Sequence, residues 1–185
     1  TSPAFSDGGE IPRECGYKNG NQEPPLRIGV VGGKELGSTG IGSLALIMDD
    51  PDAMEAVGKV WVHWVAWNIE PDADGNANLD NDRRSSYDGY KFKPHKLGTN
   101  DFGEEGYGGP APPDKRHTYV FKVYALDREM DIEIIEGVLT IKVENQEGKS
   151  VPKLYNAKSI TKDVIEKAME GHILDQATLT GTYAP

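Results

Sequence analysis

The chain has 185 residues and carries 20 Lys and Arg against 30 Asp and Glu, a net charge of −10. That length suits a single domain, and the acidic balance argues against a sequence-independent nucleic-acid binder, which needs a basic face to displace counterions. Its 22 Gly and 12 Pro show no triplet period, so many turns and short strands are expected rather than long helices.

No apolar run approaches the roughly 20 residues of a membrane span. Cys15 is the only cysteine, which rules out an intrachain disulfide and a multi-cysteine metal site. A reducing cytoplasm is the expected compartment, although a chain beginning at Thr1 leaves export open.

Residues 1–42 read as irregular backbone with two short strands, one of them Leu26–Val31. Leu44–Met48 is an apolar run bounded by Gly42 and Pro51, as expected of a buried strand, with Leu44, Leu46, Met48 and Asp50 on one face. Val60–Ile69 has tryptophans spaced by three, which admits a helix. Its β-branched and aromatic content and lack of caps favour a strand. Strict alternation then puts Trp61, His63, Val65 and Trp67 on one face and Val62, Trp64 and Ala66 on the other, both covered.

Residues 70–98 form a long polar excursion within one domain spanning 1–185. Thr118–Leu126 is a strong strand with His117, Tyr119, Phe121 and Val123 on one face, and another is expected near Gly137–Val143. Ser159–Met169 is the one clear helix, capped by Ser159 or Thr161, striped by Val164, Ile165, Ala168 and Met169, and stopped by Gly171. Ala177–Tyr183 closes the chain as a strand.

Two motifs fail on detail. Gly29 and Gly33 are one residue too close for a phosphate loop, and Glu35 stands where Ser or Thr should hold Mg²⁺. Asp72-x-Asp74-x-Asn76 begins like a calcium loop, but its sixth position is Ala77 and its twelfth Arg83. A looser cation site among Asp72, Asp74, Asn78 and Asp80 stays open. Nor is there a Gly-x-Ser-x-Gly elbow, or a histidine near Cys15 in sequence, to support nucleophilic catalysis.

A more productive set remains. Asp50 and Asp52 flank Pro51 at a strand end, and His63 sits mid-strand beside Trp61. Gly106–Pro113 is a loop nearly free of side chains that runs toward His117 and Tyr119. Glycine lets a backbone approach a ligand closely and proline fixes φ. Two imidazoles and a phenol are donors for an oxyanion, and Asp50 can hold an imidazole tautomer or accept from a protonated ligand oxygen.

Asp49-Asp50-Pro51-Asp52-Ala53 followed by Trp61-Val62-His63-Trp64, then Gly106-Tyr107-Gly108-Gly109-Pro110-Ala111-Pro112-Pro113 followed by His117-Thr118-Tyr119-Val120-Phe121, resemble the motifs of the phosphatidylethanolamine-binding protein family. That family includes the Raf kinase inhibitor proteins. Asn100-Asp101-Phe102-Gly103, Tyr124-Ala125-Leu126-Asp127 and Leu179-Thr180-Gly181-Thr182-Tyr183 extend the likeness from Phe5 to Tyr183, most closely to the bacterial and archaeal branch. Met54 and Thr118 depart from the family's usual Pro and Arg, and Ala111 stands where bacterial relatives often carry Cys. The turn after Ala53 is therefore expected to be looser or to lack a proline-fixed bend, and the eukaryotic kinase-binding role is not carried over.

The resemblance implies a mainly β chain: a single-domain, Greek-key antiparallel β-sandwich with a few peripheral helices, one near the C-terminus. It also implies a pocket for phosphate, phosphate esters, carboxylates or a phospholipid headgroup. The implied ligand contacts are Asp50, His63, Gly109, Pro110, His117 and Tyr119, with Trp61 in the wall and Asp52 and Tyr107 in support. No cofactor, metal or catalytic residue is expected. Imidazoles titrating near pH 6.5 would bind an anion more tightly as pH falls, against the repulsion of the net charge. The alternative is a protein-interaction regulator of the peptidase- or kinase-inhibitor kind, acting through surface loops that include Tyr87, Tyr90 and Phe92. A hydrolytic role for His63 or His117 as general base lacks an accompanying nucleophile or metal set.

Overall fold

The computed structural model describes residues 1–29, 40–71, 76–79, 95–144, 149–155 and 159–185. Its strands are β1 (Gly9–Glu10), β2 (Leu26–Ile28), β3 (Ser43–Asp50), β4 (Trp61–Ile69), β5 (Ala77–Leu79), β6 (Lys96–Leu97), β7 (His117–Leu126), β8 (Ile132–Ile135), β9 (Val138–Glu144), β10 (Ser150–Tyr155) and β11 (Ile173–Tyr183). Two α-helices, α1 (Ala53–Val57) and α2 (Lys162–Met169), lie at the periphery.

The main sheet has the order β1-β11-β7-β3-β4-β6. All its pairs are antiparallel except β1 with β11, which is parallel, so the expected sandwich carries one parallel edge. β3 lies between β4, its successor in the chain, and β7, which follows much later. Two distant sequence stretches are thereby brought to either side of Asp50.

Both faces of this sheet are buried. Leu46, Met48, Trp64, Tyr119 and Phe121 pack on one face with Phe5, Ile11, Leu26 and Leu79. Ala45, Ile47, Val65, Trp67 and Leu126 pack on the other against Leu139 and Ile141 of the β10-β9-β8 sheet and the apolar stripe of α2. Each fully buried Leu, Ile or Met contributes roughly 1.5–3 kcal/mol. Every residue of β3 is buried, which is why its apolar run was easily read as a strand.

The faces expected for β3 and β7 are the observed ones, but those of β4 are not. Met48 pairs with Trp64 while Asp49 pairs with Val62, so β4 carries an extra residue at this point. Such a bulge breaks alternation. Val62 packs on the helix-covered face with Val65 and Trp67, whereas His63 and Trp64 both lie on the opposite face. Val62 donates its N–H to Asp101 Oδ2 at 2.7 Å, and Lys59 pairs with the other oxygen of Asp101 at 2.8 Å.

The C-terminal helix begins at Lys162, the later of the two starts that the caps allowed, and the Ile160 carbonyl just before it accepts the Thr99 N–H at 2.7 Å instead of joining a helical ladder. Thr161 is its N-cap, without a side-chain capping bond, and the buried residues are the four expected. Lys162 and Lys122 converge on Asp49 Oδ2 at 2.7 and 2.5 Å, which ties α2 to the sheet.

Several elements were not expected, among them β5 and β6 in the 70–98 excursion. α1 is short, though acidic residues precede it and Gly58 at φ +78° ends it. β8 joins β9 through Glu136 and Gly137, both at positive φ, a two-residue turn of the kind that suits hairpin twist. β10 carries Pro152 and pairs only with β9, as an edge strand permits. β1, with just two residues, is a second short strand in the 1–42 region. The end of the strand expected at Leu26–Val31, the Gly32–Glu35 stretch, Asp72, Asp74, Asp80 and the aromatic loop residues Tyr87, Tyr90 and Phe92 lie outside the described residues.

Candidate functional site

Asp50 ends β3 and is 3 % exposed. Its Oδ1 accepts the Ala53 N–H at 3.0 Å, fixing the first turn of α1, and its Oδ2 meets His117 Nδ1 at 2.7 Å. His117, at the start of β7, is fully buried, and its Nε2 meets Asp114 Oδ1 at 2.9 Å. Burial alone would depress the imidazole pKa, but hydrogen bonds to Asp50 and then Asp114 outweigh it and the pKa is raised. Two carboxylate acceptors require two donors. His117 is therefore an imidazolium with both N–H groups already donated.

His63 behaves in the opposite way. Burial lowers its pKa despite the opposing effect of the Gly108 carbonyl, which receives Nδ1–H at 2.6 Å. The ring is therefore neutral, with Nε2 as an acceptor. The Gly108 N–H returns a bond to the His63 carbonyl at 2.8 Å, so β4 and the glycine loop are joined twice. The expectation that both imidazoles present free N–H groups is thus corrected. One ring is charged with its donors in use, and the other is an acceptor.

Tyr119 stands edge-on to His63 with ring centroids 5.1 Å apart. Its hydroxyl is buried and in no well-formed hydrogen bond, although the Asp50 carboxylate and the Ala111 backbone lie near it, and burial, then the Asp50 charge, pushes the phenol far above its ordinary pKa. It is a neutral phenol whose O–H is not engaged in a well-aligned bond. Trp61 adds a second buried, unpartnered donor in Nε1, and its ring meets Phe102 edge-on at 5.4 Å. Phe102 also meets His63 at 5.5 Å and stacks on Tyr17 at 4.1 Å. Trp64 and Trp67 have unpartnered indoles too, so an orphan indole is not by itself a mark of this site.

Gly109 and Pro110 belong to the site's wall rather than its open surface. Gly109 donates its N–H to Asn21 Oδ1 at 2.7 Å, and the Pro110 carbonyl accepts the Tyr17 N–H at 2.9 Å. A Cβ on Gly109 would lie 2.0 Å from the Cys15 carbonyl oxygen. The bare glycine face expected to admit a ligand is filled by the chain's own residues 15–17. Tyr107 supports from behind, donating its hydroxyl to that same carbonyl at 2.9 Å and meeting Trp64 edge-on at 5.3 Å. Asp52 accepts the Thr118 N–H at 2.7 Å and so joins the two motifs. Met54 closes the turn rather than loosening it, because its N–H reaches the Pro51 carbonyl at 3.2 Å, a bond proline could not make.

Asp50, His63, His117, Tyr119 and Trp61 therefore gather at one end of the main sheet, with Asp52 and Tyr107 behind them. Sequence reasoning missed Phe102, Asn21 and Asp114. Phe102 belongs to a motif already noted, placed by Asn100, whose Oδ1 accepts the Phe102 N–H at 3.0 Å. Asn21 had no local signal beyond a turn-rich setting and sits at φ +52°. Cys15 is buried, with its thiol pushed up to about 11 by burial and then by Glu14, which makes it a poor nucleophile at neutral pH. Among the described residues no group of three or more His, Cys, Asp or Glu is arranged to hold a metal ion, and no helix is long and apolar enough to cross a membrane.

Comparison with known proteins gives a consistent result. The sequence model described as "PBP: Phosphatidylethanolamine-binding protein" matches residues 1–184. A UPF0098 protein of Methanothermobacter thermautotrophicus is 37% identical over 180 residues, covering 97% of this chain and 94% of its own. A phosphatidylethanolamine-binding protein homolog of Chlamydia trachomatis, CT736, superposes with a TM-score of 0.69 at 31% identity, covering 99% of this chain and 94% of its own. YbcL of Escherichia coli, described as a new member of the mammalian PEBP family, gives 0.64 at 26% identity, covering 99% and 95%.

Proposed function

Because the chain belongs to the phosphatidylethanolamine-binding protein family, we propose that it binds a small anion of phosphate chemistry at the Asp50, His63, His117 and Tyr119 cluster. Inorganic phosphate, a phosphate ester and a phospholipid headgroup share that chemistry. The observation that carries this reading is the Tyr119 hydroxyl, buried without a well-formed hydrogen bond among two imidazoles and a carboxylate. An unsatisfied buried polar group costs about 1–3 kcal/mol, and a ligand oxygen would recover it.

The polarity of the groups narrows the ligand. Tyr119 and Trp61 need an acceptor, whereas neutral His63 offers an acceptor at Nε2 and asks for a donor. A hydrogen phosphate supplies both, through unprotonated oxygens and one P–OH. An acetate-like carboxylate supplies acceptors only, so it is the weaker ligand. The net charge of −10 opposes entry of either. The reading assigns no covalent step, and Asp50 acts by holding His117.

The test is Tyr119→Phe. In the absence of ligand its stability should be within about 1 kcal/mol of that of the parent, since the hydroxyl that is lost is buried without a well-formed hydrogen bond. Phosphate affinity, followed on the histidine ring resonances, should fall about tenfold, the equivalent of one hydrogen bond of roughly 1.4 kcal/mol. Unchanged affinity in the variant would remove Tyr119 from the site. Absence of any phosphate-dependent shift at His63 and His117 in the parent would remove the site.

A further inference from the structure

We propose that Asp114 is an internal anion, seated on the imidazolium donor that an external phosphate oxygen would otherwise use; this rests on the anion site proposed above. His117 Nδ1–H is committed to Asp50, which is buried and cannot leave. Its other donor, Nε2–H, is taken by Asp114, whose side chain is 47 % exposed and stands in the surface stretch just before β7. A carboxylate and a phosphate compete for the same kind of donor. One of the two occupants is buried and permanent, and the other can swing into water.

The charges point the same way. Asp50, His117 and Asp114 together carry −1, so the cluster as it stands repels an anion. With Asp114 withdrawn, the Asp50–His117 pair is neutral overall and exposes one N–H. Beyond His117, the Asp114 carboxylate is met only by backbone N–H groups of its own exposed stretch, those of Lys115 and of Asp114 itself. Lys115, its neighbour, is paired with Glu55. Asp114 would thus set the threshold for anion entry, keeping the site closed at low phosphate and opening it when an external oxygen outcompetes the carboxylate.

The experiment titrates the full chain at pH 7 with inorganic phosphate and, separately, with glycerophosphoethanolamine, following His63 and His117 ring resonances in the parent, Asp114→Ala and Asp114→Asn. Alanine removes both the charge and the seat. Asparagine removes the charge but keeps an oxygen that can accept Nε2–H. The expected result is affinity at least tenfold tighter in D114A and only a few-fold tighter in D114N, and whichever compound shows this identifies a free phosphate or a headgroup as the source. Equal affinity of D114A and the parent, with clear shifts in both, overturns the seat and leaves the site standing. Equal tightening in both variants also overturns it, because charge alone then suffices. No shift at either histidine in any of the three proteins overturns the site itself. A thermal melt of each variant separates these outcomes from misfolding, and D114N covers the case in which D114A does not fold.

Discussion

Gly109→Ala is expected to destabilise the fold by about 3 kcal/mol, near the upper end of the usual cost of overpacking. In a chain of this size that corresponds to a fall in Tm of roughly 6–12 °C. The reason lies in what the methyl would meet: the Cys15 carbonyl oxygen at 2.0 Å, the Tyr17 nitrogen at 2.7 Å and the Gly16 carbonyl carbon at 2.9 Å. These are backbone atoms, and they are held by the bonds from Tyr107 to Cys15 and from Tyr17 to Pro110. They cannot rotate aside as a side chain can. Gly108 makes a useful contrast, because its nearest neighbour would be the Phe102 ring at 2.5 Å, which can shift. Alanine at 103 is a second control: φ there is +82° but nothing lies within 4 Å, so its cost is the left-handed conformation alone, about 1 kcal/mol. Urea denaturation of the three variants checks the ranking. A Gly109→Ala loss no greater than that of Gly103→Ala would show that the loop does not press on residues 15–17 as described.

The three central strands and the C-terminal helix were legible because burial dictates them. Ala45 and Ile47 face one core while Leu46 and Met48 face the other, so an uninterrupted apolar run reads as a strand whatever lies beside it. The bulge at His63 could not be read this way. It coincides with Asp101 taking the Val62 N–H, a contact 39 residues away in sequence that leaves no trace in local alternation. β8 and β10 were missed for the opposite reason. Ile134, Ile135 and Leu154 are exposed, so their sequences carry little burial signal. In the site, the pairing of Asp50 with an imidazole followed from residue chemistry plus the family resemblance. The identity and state of each ring did not, because protonation depends on Asp114 and on depth of burial, both set by the fold.

Asp50→Ala is expected to be the most damaging change in the site, costing about 3–5 kcal/mol, the range for removing one partner of a buried charged pair. It leaves the His117 imidazolium with Asp114 alone and strips the Ala53 N–H of its acceptor. Asp50→Asn should cost less, since its amide oxygen can still accept one of these bonds. The pH dependence of the parent follows from the two histidines. His117 has a raised pKa, so its contribution is complete below the unfolded value near 6.5 and is lost as pH rises through the folded value. His63 has a lowered pKa, so its contribution is complete above about 6.5 and is lost as pH falls toward the folded value. Between pH 5 and 8 the histidine contribution to stability should therefore pass through a maximum near about pH 6.5. In Asp50→Ala the His117 pKa drops toward its ordinary value, and the alkaline limb should flatten while the acid limb, governed by His63, persists. Unfolding free energies measured by urea across that range decide the matter: a parent profile that only rises with pH would mean that His117 is not held as a cation between its two carboxylates.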